Sequence, residues 1–196
     1  LYQSGCDHII AAGEDAAIAP KSFCIALLLS LVAATAHAAE LFGTVVAVAD
    51  GDTVTLLDAS RQQHRIRLSG IDAPERRQAY GERSKQHLAA IVFQKRARVV
   101  WDKRDRYGRI VGRVFAAECE RGDCPYSVDA GVEQIRAGLA WHYKQYQRDQ
   151  TPLERARYAA LEEEARARGE GLWKDSQPVA PWNFRRHAAT PLTPES

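Results

Sequence analysis

The stretch Arg65-Ile66-Arg67-Leu68-Ser69-Gly70-Ile71-Asp72-Ala73-Pro74-Glu75 opens on a strict polar and apolar alternation and closes on a proline. Side chains of a strand point alternately to opposite faces, so in a strand over 64–70 Ile66 and Leu68 share one side with Gly70, while Arg65, Arg67 and Ser69 share the other. Arg67 is thereby aimed away from the core where the strand ends. Pro74 has no N–H and ends any regular element, which leaves Asp72 and Glu75 in the loop that follows.

Working backward, residues 41–49 are rich in Val and residues 53–57 alternate, and Asp50-Gly51-Asp52 between them is turn chemistry, so the two segments form a hairpin. Working forward, Leu88, Ile91 and Val92 fall at helical spacing within 81–94. Residues 98–101 and 109–116 read as two further strands joined by the polar turn Asp105-Arg106-Tyr107-Gly108. That makes five strands with one helix inserted. A second helix is expected over 129–137, stopping at Gly138. A third begins at Thr151-Pro152-Leu153-Glu154, a capping box with proline at the first helical position, and stops at Gly169. Glu162 with Arg166 and Glu164 with Arg168 are i,i+4 pairs expected on a solvated face. Residues 171–196 hold Trp173, Trp182 and four prolines, and are expected to pack back by the tryptophans and then fray. The sequence thus predicts an α+β, mainly β, architecture.

The 196 residues are 45% hydrophobic and 27% charged, values of one globular domain that exclude a disordered or collagen-like chain. Residues 23–36 are an apolar run that follows Lys21 and leads into Ala36-His37-Ala38, the pattern of a secretory signal with a small-x-small cleavage site. The run is shorter than a membrane span. The net charge of +2 is unevenly spread: residues 61–113 carry 15 Lys or Arg against 5 Asp or Glu. Such a basic stretch suits a phosphate-bearing partner. Once a leader over 1–38 is removed, Cys119 and Cys124 are the remaining cysteines. Bound for an oxidising compartment and separated by turn-forming residues, they are expected to be bridged. His64, His87, His142 and His187 show no ligand spacing and are read as structural or exposed.

Three short motifs carry chemistry, each weak by itself: Asp50-Gly51-Asp52-Thr53, Ile71-Asp72-Ala73-Pro74-Glu75 and Asp105-Arg106-Tyr107-Gly108-Arg109. Together they supply three carboxylates for a hard cation, another to take a proton, and arginines able to grip a phosphate by paired hydrogen bonds. That inventory suits phosphodiester hydrolysis.

In this order, with Arg67-Leu68-Ser69-Gly70 ahead of the second motif, the chain resembles the staphylococcal nuclease (thermonuclease) family over residues 41–173. The resemblance implies a five-stranded OB-fold barrel with three helices, whose open groove binds oligonucleotides. It divides the chain into an N-terminal extension plus signal peptide (1–38), the nuclease domain (39–175) and a C-terminal tail (176–196). It implies a secreted or periplasmic, monomeric, Ca²⁺-dependent endonuclease acting on single-stranded or frayed DNA and RNA, with no stable membrane association after cleavage of the leader. Carried over position by position, Asp52, Asp72 and the main-chain carbonyl of Ala73 are Ca²⁺ ligands, with Asp50 behind them. Many relatives have threonine where Ala73 stands, a difference that a carbonyl ligand tolerates. Glu75 matches the general base for a metal-activated water, Arg67 and Arg109 match the arginines on the scissile phosphate, and Arg106 and Tyr107 line the same pocket. Of the tyrosines that contact the nucleotide, Tyr146 fits best by its distance from Gly138, with Tyr143 the alternative. Two rival readings share the charge pattern: a noncatalytic OB-fold nucleic-acid binder, and a surface protein for another anion such as a polysaccharide.

Overall fold

The computed structural model describes residues 38–119, 122 and 124–189; apart from Ala38, the expected leader lies outside the described residues. Strand β1 (Ala39–Asp50) is long enough to serve two neighbours: its first half pairs with β5 (Arg96–Arg104) and its second half with β2 (Thr53–Asp58), both antiparallel. Register shifts between Val45 and Ala47 and between Val48 and Asp50 let it coil, since a bulge bends a strand and increases its twist. Strand β2 continues antiparallel to β3 (Gln63–Leu68), β3 pairs in parallel with β6 (Ile110–Ala117), and β6 returns antiparallel to β5. The ring is closed, giving the expected five-stranded OB barrel.

Strand alternation fills that barrel. Val45, Val54, Leu56, Ile66, Leu68, Val99, Ile110 and Val114 are all buried. Helix α1 (Gly81–Val92) seats Leu88 and Val92 on one end of this core, and α2 (Ala130–Arg136) adds Val132 and Ile135. Helix α2 starts where expected because the Asp129 carboxylate accepts from the N–H groups of Gly131 and Val132 and also from Arg113. Helix α3 (Pro152–Ala167) begins at the predicted capping box, with both reciprocal Thr151 and Glu154 bonds formed.

Short strands β4 (Ile71–Asp72) and β8 (Trp141–His142) pair with each other, and β7 (Tyr126–Asp129) lies against β6. Between β6 and β7, Cys119 and Cys124 are bridged as expected, with their Cα atoms 5.9 Å apart. The bridge closes a short loop outside the three motifs, and the chain-entropy model gives it about 2 kcal/mol. Reduction should lower the melting temperature by a few degrees and leave nucleic-acid cleavage unchanged, measured by melting and assay with and without dithiothreitol.

Two expectations need correction. Glu162 is not on a solvated face: it is 3% exposed, accepts the His142 N–H at 3.1 Å and pairs with Lys144 at 2.9 Å. Glu162 does meet Arg166, at 3.6 Å, but as part of a buried join between α3 and β8. The tryptophans of the tail pack back as expected, but the segment adds a fourth helix, α4 (Pro181–Ala189), to the three expected; residues 190–196, where fraying is expected, lie outside the described residues. Trp173 and Ala180 are buried with Trp141, Ala165 and Leu172 in a second apolar cluster, and Trp182 packs on it. A nine-residue helix is marginal alone in water, so this packing is what makes it a helix. Among the described residues no helix is long and apolar enough to cross a membrane.

Candidate active site

The hairpin turn after β1 has no room for a side chain at Gly51, where a Cβ would run into Ser84 and Ala73. Beneath the turn, the buried Gln134 amide donates to the Gly51 carbonyl at 2.6 Å and to Ser84 Oγ at 3.0 Å, while its oxygen meets His87 Nδ1 at 2.6 Å. His87 is thus a structural residue, as expected. From above, the Leu68 N–H donates to the Asp52 carbonyl at 2.8 Å. The turn is thereby pinned against the end of β3, and Asp52 meets the loop that follows.

There Asp52 and Asp72, 4% and 0% exposed, stand on either side of Arg67. Arg67 Nη1 donates to Asp52 Oδ2 and Nη2 to Asp72 Oδ1, both at 2.8 Å. Asp52 also accepts from the Ala73 N–H at 3.2 Å and from Thr53 Oγ1 at 2.9 Å. Burial pushes the Asp72 carboxyl above its ordinary range, with Arg185 and Arg67 pulling against it, and the same two aspartates raise Arg67 against its own desolvation. Asp50 lies behind, accepting the Asp52 N–H at 3.1 Å.

The Asp50 carboxyl is pushed up to about 6, first by burial and then by the neighbouring Asp52 charge. An acid raised in the folded state binds more protons folded than unfolded, so its contribution is fully favourable below the unfolded value of 3.8 and is lost as pH rises through about 6. Asp50→Asn keeps the acceptor oxygen and removes the charge. It should stabilise the cation-free protein at pH 7 by about 1 to 2 kcal/mol, with the gain vanishing below pH 4. Thermal melts across that range check both the size and the sign.

Glu75 is about two-fifths exposed and is joined to Asp72 by a residue the sequence reading did not single out. Arg185 of α4 donates to Asp72 Oδ2 at 2.7 Å and Oδ1 at 3.3 Å, and to Glu75 Oε1 at 2.6 Å. Its only sequence signal was a proline followed by an aromatic and two arginines in an otherwise tail-like segment.

Arg109 immediately precedes β6, the strand that pairs in parallel with the one carrying Arg67. The parallel register sets Arg67 beside Val111, two residues after Arg109. Its Nε donates to Asp105 Oδ2 at 2.7 Å, while Asp105 Oδ1 accepts the N–H groups of Tyr107 and Arg109. Burial works to raise the Asp105 carboxyl, but these bonds outweigh it and hold the carboxyl below its usual range. Arg106 and Arg109 both lie over the exposed Tyr107 ring, at 4.9 and 5.5 Å from its centroid. Among the described residues no hydrogen bond or ion pair joins Arg109 to Asp52, Asp72 or Glu75.

Pairing of β8 with β4 sets Trp141 opposite Asp72, and the Tyr143 N–H donates to the Gly70 carbonyl at 2.9 Å. Tyr143 therefore borders the carboxylates, with Arg67 at 6.0 Å from its ring centroid. Tyr146 packs on Tyr143 at 4.9 Å and is half exposed. Register brings Tyr143 to the site, and Tyr146 stands beside it.

Asp52 and Asp72 offer only oxygen donors. Among the described residues no three His, Cys, Asp or Glu side chains converge as a metal cluster. Two buried carboxylates already holding guanidinium charge fit a hard cation that completes its shell with carbonyl, water and phosphate oxygens. They do not fit a soft one.

Residues 65–175 match the sequence model of the family described as staphylococcal nuclease homologue. The chain is 42% identical to an uncharacterized endonuclease of Escherichia coli over 75% of its own length and 86% of the relative's. It is 36% identical to the micrococcal nuclease of Shigella flexneri, over 83% of this chain and 90% of that one. A staphylococcal-like nuclease of Arabidopsis thaliana is 37% identical over 64% of this chain and 34% of its own length.

Proposed function

The chain belongs to the staphylococcal nuclease homologue family and is a nuclease, and from that premise we propose that it hydrolyses phosphodiester bonds of single-stranded or frayed DNA and RNA in a Ca²⁺-dependent reaction. The observation that carries the reading is the buried pair Asp52 and Asp72 around Arg67, with Glu75 one guanidinium away. Asp52, Asp72 and the Ala73 carbonyl would hold the cation. When bound, it would supply positive charge to a phosphate oxygen and to the attacking water.

Glu75, open to solvent, would take a proton from the attacking water as its oxygen bonds to phosphorus, and the leaving oxygen would depart as its bond to phosphorus breaks and take a proton from solvent. Arg67 exchanges its carboxylate partners for the phosphate. Arg109, anchored through Nε by Asp105, keeps both Nη groups for a paired grip on the same phosphate. Both arginines gain most as negative charge accumulates in the transition state. Tyr143, with Arg106 and Tyr107, contacts the nucleotide. Export to the periplasm or medium is supported by the bridged cysteines and by the apolar run over 23–36.

The test is incubation of the protein with end-labelled single-stranded DNA and RNA, with Ca²⁺ or with excess chelator. Cleavage of both in Ca²⁺ and neither in chelator is expected. Full cleavage in chelator removes the cation from the mechanism, and no cleavage of either substrate in Ca²⁺ overturns the Ca²⁺-dependent reading.

A further inference from the structure

Helix α4 begins after residue 175, where the family match ends, yet two of its side chains lie on the site. Arg185 holds Asp72 by both carboxylate oxygens and reaches Glu75. Three residues earlier, and so on the same face of the helix, the Trp182 indole stacks on Tyr143 with ring centroids 5.5 Å apart and planes 14° from parallel. A guanidinium therefore stands against the carboxylates assigned to the cation, and a flat ring covers the tyrosine assigned to the nucleotide.

We propose that α4 is an autoinhibitory strap, competing with the divalent cation through Arg185 and with the nucleotide through Trp182. The inference rests on the Ca²⁺ reading above. The strap is poised rather than locked. It is a short helix whose N-terminal end is anchored by the buried Ala180 and by the Val179 carbonyl on Gln78, while the Arg185 side chain is two-fifths exposed. A divalent cation carries twice the charge of a guanidinium and engages Asp52, which Arg185 does not touch. It prevails once its concentration is high enough, and nucleotide stacking on Tyr143 would add to the displacement. The strap thereby sets a threshold: the nuclease stays closed in dilute Ca²⁺ and opens when cation and substrate are both present. Linkage makes the effect reciprocal, so whatever loosens α4 tightens Ca²⁺ binding by the same factor.

The experiment is calorimetric titration of the full protein and of Arg185→Ala and Arg185→Gln with CaCl₂, without nucleic acid, after thermal melts establish that all three are folded. Both variants should bind Ca²⁺ about tenfold more tightly, a coupling of ordinary size between sites, whereas Arg185→Lys should stay nearer the parent. Tryptophan fluorescence supplies a second readout. Ca²⁺ should change the emission of the parent as Trp182 leaves Tyr143, and Trp182→Phe should abolish that change. Equal or weaker Ca²⁺ binding in Arg185→Ala and Arg185→Gln overturns the strap while leaving the Ca²⁺ reading intact. No Ca²⁺ binding by any of the proteins overturns both.

Discussion

Glu75→Gln should lower kcat by about 10² to 10⁴-fold, the usual effect of losing a general base, while KM changes by no more than about twofold. Glutamine has the shape of glutamate but takes no proton at neutral pH, so the substitution separates proton transfer from packing. The surroundings favour a clean experiment. The Glu75 main-chain N–H is held by Gln78 and does not depend on the side chain. The carboxylate is solvent-accessible and among the described residues its ion-pair partner is the part-exposed Arg185, so no buried partner is orphaned and the barrel should melt at the parent temperature. Steady-state kinetics on a single-stranded oligonucleotide at saturating Ca²⁺ gives the comparison. Turnover at the parent rate would assign the base to another group.

Arg109→Lys should lower kcat by about 10² to 10³-fold, the range for losing one donor to transition-state charge. The positive charge survives this change, so a reading based on charge alone expects little. Geometry expects a large loss. Asp105 holds Arg109 through Nε at 2.7 Å and accepts two main-chain N–H groups of the same turn. The guanidinium plane is thereby set before substrate arrives, and both Nη groups remain for the phosphate. Lysine has no second nitrogen with which to be held and grip at once. Asp105→Ala should reproduce part of the loss with Arg109 intact, because the plane is then free to turn. If Arg109→Lys retains most of the parent kcat, Arg109 acts as a point charge and the role assigned to Asp105 falls with it.

Sequence alone determined whatever is encoded within a few residues. The alternation around Ile66 and Leu68 put Arg67 outside the core, Asp50-Gly51-Asp52 set the hairpin turn, and the Thr151 box placed the start of α3. Those signals are local because strand faces, turns and caps are local physics. The ordered motifs also carried the family, since Asp72 and Glu75 stand at fixed spacing from Arg67 on one strand and its exit loop.

What only the tertiary structure decided depends on partners far apart in the chain. Arg185 lies 113 residues from Asp72, and nothing in its neighbours announces that pairing. Helix α4 resembled a tail because nine residues beginning with proline and tryptophan have little intrinsic helix stability, and burial against Trp141 supplies what propensity lacks. Glu162 has the spacing of a surface ion pair, yet its environment is set by β8 packing over α3. Tyr143 borders the carboxylates because the pairing of β8 with β4 fixes the register. Contacts made across the fold leave no periodicity in the sequence, and closing the chain on itself is what brings such residues together.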